Sequence, residues 1–212
     1  VARPDRPQGK HQRIEPGPVA RLARALGLPL DQLPDVNSPA GLARLAQHRP
    51  DLLVVADFGQ ILSAECLAAA PHGGINVHAS LLPKYRGAAP INWAVVRGER
   101  ETGCTVFRIV SRMDAGPILA RHATPIEPDE TAGELHDRLA DLGVQTVRDA
   151  LALFAGGVNP PGTPQDDAQA TYAPKMKKSD GFIAFARPDR SIVAIIRGMT
   201  PWPGATAQYL AA

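Results

Sequence analysis

The stretch INVHASLLPKYRGAAPINW, residues 75–93, decides the fold. It opens as a short apolar run typical of a buried strand and closes as a helix, and its polar side chains are concentrated where the two meet. Because residues i and i+2 of a strand project from the same face, Asn76 and His78 are predicted to point together at the carboxyl end of this strand. The stretch therefore predicts a strand-to-helix unit with a directed pair of polar groups.

Helix and strand patterns alternate on both sides of this junction. Short apolar runs predict strands at 51–59, 73–78, 102–110 and 118–126. Helical spacing predicts helices at 18–28, 38–50, 63–71, 87–99, 131–157 and 190–199. Ser38 and Pro39 are typical of a helix start, and Thr131 with Glu134 forms a capping box. The alternation predicts an α/β fold with an open, mostly parallel Rossmann-like sheet and helices on both faces.

The ends of the chain have a different composition from its middle. Residues 3–18 are rich in Pro, Gly and cations and show no hydrophobic period, which predicts an exposed loop. After residue 157 the sequence becomes rich in Pro and polar residues. We therefore assign 1–157 to the main domain and 158–212 to a surface excursion, a final helix and a linker.

The composition limits the classes of protein that fit. The chain has 212 residues, 44% of them hydrophobic and 21% charged, which suits one large globular domain. Its net charge of +2 does not by itself indicate a nucleic-acid binder, although residues 1–24 carry six cations against two acids. Two cysteines cannot form a disulfide framework, and no apolar run is long enough to span a bilayer. Because the chain begins at Val1 without a methionine, we expect it to be a fragment.

The strongest chemical candidates are Asn76, His78 and Asp114. Ligands of open α/β sheets bind beside the carboxyl ends of strands, where the first two are predicted to lie. Histidine exchanges protons near neutral pH, a carboxamide stabilises an oxyanion, and Asp114 in the MDAG turn is placed to orient the imidazole. A histidine at a strand end is nevertheless often structural, and an asparagine there is often a turn former. The residues alone leave both interpretations open.

The residues after the strand allow further interpretations. The segment Ser80–Pro83 can form an apolar wall for a flat heterocycle or be ordinary core, and Arg86 can meet an anionic ligand or cap a carboxylate. Motifs of serine hydrolases, dinucleotide-binding folds and P-loops are absent. A metal site would have to use residues that lack the spacing of a known site, namely His72, His78, His122 and Asp114. We expect no metal.

The quoted stretch, followed by ETGCTVFRIVSRMDAGPIL at 101–119, resembles the folate-dependent formyltransferases. The match is closest to the members whose acceptor is methionyl-initiator-tRNA, and it covers about residues 3–206. The supporting segments are YRGAAPINW within the quoted stretch, RPDRPQGKHQRIEPGPV at 3–19, TYAPKMKKSDGFIAF at 171–185 and TPWPGA at 200–205. The resemblance implies transfer of a formyl group from 10-formyltetrahydrofolate to the α-amino group of the methionine on initiator tRNA, for translation initiation.

Roles for single residues follow from the resemblance. It implies that Asn76, His78 and Asp114 are catalytic and that a four-residue segment contacts folate, namely Ser80, Leu81, Leu82 and Pro83. It also implies a cis Leu82–Pro83 peptide. The basic segment 3–13 matches the part of the family that engages the tRNA acceptor stem, through Arg6, Lys10 and Arg13. Lys10 stands where many relatives have arginine, and its ammonium group lacks the planar fork that makes a bidentate phosphate contact.

The resemblance also implies the setting of the protein. We expect a cytoplasmic, monomeric enzyme with no membrane partner. The family's opening glycine-bearing strand and its C-terminal β-barrel domain are expected to be missing here. Alternatives are formyltransferases acting on an amino-sugar nucleotide or a glycinamide ribotide, and a formyltetrahydrofolate hydrolase. A non-catalytic RNA-binding module fits less well, because aromatic residues are only 5% of the chain and base stacking needs them.

Overall fold

Helices and strands alternate along the chain, as the sequence pattern predicts. The structure, a computed structural model, describes residues 1–8, 13–186 and 188–208. The chain divides into two units, Val1–Gly74 and Ile75–Ala212. The basic residues predicted to bind tRNA belong to the first unit, and the predicted catalytic and folate-binding residues belong to the second.

The first unit contains three described strands and three helices. They are β1 (Arg6–Gln8), β2 (Arg13–Glu15), α1 (Pro18–Ala25), α2 (Pro39–Gln47), β3 (Leu53–Ala56) and α3 (Ala64–Ala68). Ser38 caps α2 as predicted, because its hydroxyl accepts a hydrogen bond from the Gly41 N–H at 3.1 Å. A small apolar core forms between the helices, from Val36, Leu45 and Cys66.

The N-terminal basic segment contains a short β ladder, which corrects the expectation of a loop at 3–18. β1 and β2 pair antiparallel, with Arg6 opposite Glu15 and Pro7 opposite Ile14. Each strand has three residues, too few to show the alternation by which a strand is recognised in sequence. Proline also disfavours a strand prediction. The expected exposure is confirmed for β2, all of whose residues are exposed.

The second unit holds the remaining described elements. They are β4 (Gly74–His78), β5 (Arg86–Gly87), α4 (Pro90–Val96), β6 (Glu101–Arg108), β7 (Ile118–Pro125), α5 (Ala132–Ala152), β8 (Tyr172–Ala173) and α6 (Asp189–Gly198). Two short 3₁₀ helices also occur, Asp167–Gln169 and Lys178–Gly181. The α/β class expected from the sequence is confirmed.

The strand directions require one correction of detail. β4 pairs antiparallel with β6, and β6 pairs antiparallel with β7, whereas β5 and β8 pair in parallel. The architecture is therefore mixed rather than mostly parallel. The turn at 109–117 returns β6 directly into β7, and so short a connection makes neighbouring strands antiparallel. A strand buried on both faces reads as a continuous apolar run in either direction, so the sequence pattern could not separate the two.

The long helix α5 covers the sheet. Its capping box is present as predicted, with the Thr131 N–H donating to the Glu134 carboxylate at 2.9 Å. Its buried face joins the main apolar core, which includes Val95, Cys104, Leu135 and Leu139. In the described part of the chain neither α5 nor any other helix is both long enough and apolar enough to cross a membrane.

Residues after 157 return to the body of the second unit. Thr163 forms a β bridge with Ile118, and β8 pairs with β5. Further along, α6 closes a second apolar core, made of Ala89, Met176, Ile183, Ile195 and Met199. The predicted excursion therefore carries residues 163–173 back to the strand-to-helix junction of the quoted stretch.

Candidate active site

The centre of the site is His78, the last residue of β4. This residue is 7% exposed, and its Nε2 donates a hydrogen bond to the Tyr85 carbonyl oxygen at 2.8 Å. A carbonyl oxygen only accepts, so this contact assigns the ring proton to Nε2. Nδ1 is therefore the nitrogen without a proton in the neutral ring. The register of β4, with Asn76 opposite Phe107 and His78 opposite Thr105, confirms that both predicted residues share one strand, two positions apart.

The structure brings Asp114 to the free nitrogen of that ring. Its Oδ2 lies 4.0 Å from His78 Nδ1, and its side chain is 14% exposed. The same oxygen accepts a hydrogen bond from the Gly87 N–H at 2.8 Å. A separation of 4.0 Å is within ion-pair range but too long for a direct hydrogen bond. Asp114 is thus fixed with its carboxylate close to Nδ1.

Both groups that hold His78 have unusual backbone conformations. Tyr85 has a φ of 62° and Asp114 a φ of 52°, in the left-handed region that costs a residue other than glycine about 1–2 kcal/mol. Such conformations persist only where the surroundings enforce them, and they concentrate at functional sites. Their occurrence on either side of one imidazole supports a catalytic rather than a purely structural interpretation of this junction.

The ring of Tyr85 anchors its strained backbone. The hydroxyl donates to the Glu99 carboxylate at 2.6 Å, and the Arg97 guanidinium lies over the ring, 5.1 Å from its centroid. Burial, together with the Glu99 contact, raises the pKa of Tyr85 to about 12. The hydroxyl therefore stays protonated and remains a donor to Glu99, which fixes the ring.

The MDAG turn, residues 113–116, owes its shape to Gly116 and to a distant glutamine. A Cβ at Gly116 would lie 1.7 Å from the Arg108 carbonyl oxygen, so only glycine fits. Gln165 donates from Nε2 to the carbonyl oxygens of Asp114 at 2.9 Å and of Gly116 at 2.8 Å. The turn that carries the carboxylate is thus held at both ends.

Arg86 resolves the choice left open by the sequence. It is 2% exposed, and its guanidinium donates to Gln165 Oε1 at 2.8 Å and to Asp167 Oδ1 at 2.9 Å. Arg112 and Arg86 both hydrogen-bond to Asp167 and lower the pKa of that carboxyl. Arg86 therefore caps a carboxylate and a carboxamide within the protein.

The segment predicted to bind folate has two buried and two partly exposed members. Ser80 and Leu82 are buried, and Thr105 joins them by donating to the Ser80 carbonyl at 2.6 Å while accepting from the Leu82 N–H at 3.2 Å. Leu81 and Pro83 are partly exposed. The Leu82–Pro83 peptide is cis, as expected. The segment thus has an interior that supports it and a surface that a ligand can reach.

The Asn76 side chain is partly exposed. Its carboxamide makes no hydrogen bond to any other residue that the structure describes. Asn76 and His78 project from the same face of β4. The carboxamide N–H groups of Asn76 therefore lie on the same side of the strand as the imidazole, where they can donate to a ligand.

The predicted tRNA contacts lie in the first unit and are only partly described. The pairing of β1 with β2 places Arg6 and Arg13 on one face of the ladder, and both are exposed. Lys10 lies outside the described residues. A cavity of about 880 Å³ also lies in the first unit, lined largely by apolar residues that include Val54 and Leu45. None of the predicted catalytic residues lines this cavity, so its size is no guide to the chemistry.

Three contributions to the site escaped the sequence analysis. Two are backbone groups, the Tyr85 carbonyl and the Gly87 N–H, and the third is the side chain of Gln165. A positive φ at Tyr85 has no signature in sequence. Gln165 could have been noticed only as an amide within a Pro-rich excursion, which is a weak signal. Among the described residues no group of three or more His, Cys, Asp or Glu side chains is arranged to hold a metal ion.

Comparison with known proteins gives two family matches. The model of the family described as formyl transferase matches residues 1–151, and the model of the formyl transferase C-terminal domain matches residues 175–211. Among curated proteins, the chain is 46% identical over 203 residues to the methionyl-tRNA formyltransferase of Trichlorobacter lovleyi and 45% identical over 205 residues to that of Moorella thermoacetica. These alignments cover 95% and 97% of this chain. The chain spans 64% and 66% of the length of those relatives.

Solved structures share the fold. A sugar N-formyltransferase from a Shewanella species matches with a TM-score of 0.70 at 22% identity, covering 89% of this chain and 75% of that one. HypX from Aquifex aeolicus, solved in complex with tetrahydrofolic acid, matches with a TM-score of 0.69 at 21% identity, covering 81% of this chain and 30% of that one. At these identities the likeness concerns the fold.

Proposed function

The chain belongs to the formyl transferase family, and from this we propose that its protein transfers a formyl group from 10-formyltetrahydrofolate to the α-amino group of methionyl-initiator-tRNA. The observation that carries the proposal is His78, held between the Tyr85 carbonyl and the Asp114 carboxylate, in a chain about 45% identical to methionyl-tRNA formyltransferases. This is an amine-to-amine transfer, which needs a proton relay and an oxyanion site but no redox step.

The chemistry assigns a role to each polar group. The neutral amine attacks the formyl carbon, a C–N bond forms, and the carbonyl oxygen becomes an oxyanion. The Asn76 carboxamide and Nδ1–H of a protonated His78 donate to that oxygen. As the bond from carbon to N10 of the folate breaks, His78 gives its proton to N10 and recovers one from the attacking nitrogen. Asp114 stabilises the imidazolium at the stages in which His78 carries both ring protons.

Burial indicates which residues of the segment Ser80–Pro83 would contact folate. We assign Leu81 and Pro83, which are partly exposed, to the surface that meets the pterin or its linker. Ser80 and Leu82, which are buried, support that surface from behind. The Arg121 guanidinium donates to the Leu82 carbonyl at 3.1 Å and steadies the segment from β7.

One assay tests the proposed function. The full-length protein is supplied with 10-formyltetrahydrofolate and, in separate reactions, with methionyl-initiator-tRNA, an amino-sugar nucleotide, a glycinamide ribotide or water alone. We expect formyl-methionyl-tRNA to form and the other acceptors to remain unmodified. Formylation of a sugar amine alone, or release of formate with no acceptor, would support one of the alternative activities instead.

The binding of tRNA is assigned to the basic ladder of the first unit. We propose that Arg6, Lys10 and Arg13 contact acceptor-stem phosphates, which position the tRNA without reading its bases. The exposure of Arg6 and Arg13 on one face of the ladder supports this assignment.

We further propose that the enzyme is a monomer and that it lies in the cytoplasm, the compartment of translation. We also propose that 1–157 is the catalytic domain and that 158–212 is an excursion over its surface, a final helix and a linker, with Gln165 of the excursion returning to the site.

Replacing Arg13 with glutamine is expected to weaken tRNA binding by removing one phosphate contact. The slope of log affinity against log salt should fall by about 0.7 to 0.9, because one fewer counterion is released. The KM for 10-formyltetrahydrofolate should not change. Affinity for methionyl-initiator-tRNA is measured across a potassium chloride series. Arg190→Gln, an exposed arginine on α6, is the matched control. Equal slopes for the two variants would remove Arg13 from the binding surface.

A further inference from the structure

Gln165 lies outside every motif of the chain, yet it contacts the turn that carries the catalytic carboxylate. We propose that Gln165 is a positioning residue of the active site. In this role its carboxamide clamps the Asp114–Gly116 turn in the one arrangement that presents the Asp114 carboxylate to His78. The effect on turnover rests on the proposed function, whereas the effect on the turn does not.

The clamp uses both ends of the glutamine carboxamide, Nε2 toward the turn and Oε1 toward Arg86. Nε2 has two hydrogens, and it donates to the carbonyl oxygens of Asp114 at 2.9 Å and of Gly116 at 2.8 Å. These two carbonyls flank the turn. Asp114 itself has a φ of 52°, a conformation that needs support from its surroundings. The two contacts supply that support from outside the turn.

Arg86 fixes which way the carboxamide points. Its Nε and one terminal nitrogen donate to Gln165 Oε1 at 3.2 Å and 2.8 Å. A guanidinium is a donor only, and the two carbonyls of the turn are acceptors only. The group between them must therefore accept on one side and donate twice on the other. A carboxamide does this, whereas a carboxylate, an ammonium or an alkyl group cannot.

The clamp completes a closed ring of hydrogen bonds around the site. Arg86 holds Gln165, Gln165 holds the Asp114 backbone, and the Asp114 carboxylate accepts from the N–H of Gly87, the residue next to Arg86. A shift of the turn would therefore break the bond at the Gly87 N–H. The neighbouring N–H groups are independent of the turn, since Arg86 donates to Thr171 O and Ala88 donates to Ala173 O.

The decisive variant is Gln165→Glu. It keeps an oxygen acceptor for Arg86 and replaces the two donors by an oxygen that faces two carbonyls. We expect kcat for formyl transfer to fall by about 10- to 100-fold, with KM for both substrates unchanged, because the carboxylate is displaced from His78. Hydrogen exchange of the Gly87 N–H should quicken by about tenfold, while exchange at the Arg86 and Ala88 N–H groups stays constant.

Two further variants separate positioning from structure. Gln169→Glu makes the same change in the same segment, at an exposed glutamine whose side chain hydrogen-bonds to Asp166 and not to the Asp114 turn, and its turnover should match that of the wild type. Gln165→Ala should impair turnover as Gln165→Glu does. If Gln165→Glu has the turnover of the wild type while Gln165→Ala does not, Gln165 acts only as an acceptor for Arg86 and the proposal is overturned. Wild-type exchange at Gly87 in Gln165→Glu would also overturn it. Rapid exchange at Gly87 in a protein that formylates no tRNA would uphold the clamp and refute the proposed function.

Discussion

Replacing His78 with alanine is expected to reduce kcat for formyl transfer by about 10²- to 10⁴-fold, the range typical of a lost general acid–base. In the proposed mechanism the imidazole both donates to the developing oxyanion and relays a proton between the two nitrogens. Its Nε2 is fixed by the Tyr85 carbonyl at 2.8 Å. Turnover is measured at saturating folate and methionyl-initiator-tRNA.

The fold should survive this substitution. The loss leaves the Tyr85 carbonyl unpaired in a buried position, which costs about 1–3 kcal/mol of stability. Circular dichroism and the affinity for tRNA should therefore remain close to those of the wild type. His122→Ala is the matched control, because His122 lies on β7 of the same sheet and its Nε2 contacts Asp149 at 3.0 Å. If both variants lose turnover equally, or neither does, His78 has no special part in the reaction.

The local part of the site could be predicted because it follows from strand parity. Asn76 and His78 lie two residues apart on a strand, so their common face required no knowledge of the rest of the fold. The capping box of α5 was equally local. The proximity of His78 and Asp114 was predicted from the position of the turn, and the structure places His78 Nδ1 4.0 Å from Asp114 Oδ2. Periodicity and short-range chemistry suffice for such features.

The distant part of the site could not be predicted, for two physical reasons. Gln165 contacts Arg86 across 79 residues of sequence and Asp114 across 51, and no local pattern encodes such an encounter. The Tyr85 carbonyl and the Gly87 N–H are backbone groups, which every residue carries, so the sequence gives no sign of their use. The prediction of mostly parallel strands was wrong for a related reason. A strand buried on both faces has the same apolar pattern whichever way its neighbour runs.

Asp114 has two functions that one substitution can separate. Its carboxylate provides a negative charge near His78 Nδ1, and the same group accepts the Gly87 N–H while the backbone adopts a left-handed turn. Asparagine keeps an acceptor oxygen and tolerates positive φ better than most residues. Asp114→Asn therefore preserves the geometry and removes the charge.

We expect Asp114→Asn to lower kcat by about 10²- to 10⁴-fold, approaching the loss seen when the carboxylate that orients a catalytic histidine becomes an amide. Without the negative charge the imidazolium is no longer stabilised, so His78 loses both its oxyanion contact and its proton supply. Thermal stability and the exchange rate of the Gly87 N–H should stay close to wild type, because the acceptor oxygen remains. Steady-state kinetics and hydrogen exchange are measured on the same preparation.

Two comparisons complete this test. Asp114→Ala removes the charge and the acceptor together, so it should match the kinetic loss and also free the Gly87 N–H to exchange. Asp149→Asn removes the carboxylate that pairs with His122 at 3.0 Å and should leave turnover unchanged. If Asp114→Asn retains most of its turnover while Asp114→Ala does not, the carboxylate acts by shape rather than by charge. The imidazolium mechanism would then have to be abandoned, because a neutral amide cannot stabilise a protonated His78 in a site where both side chains are largely buried.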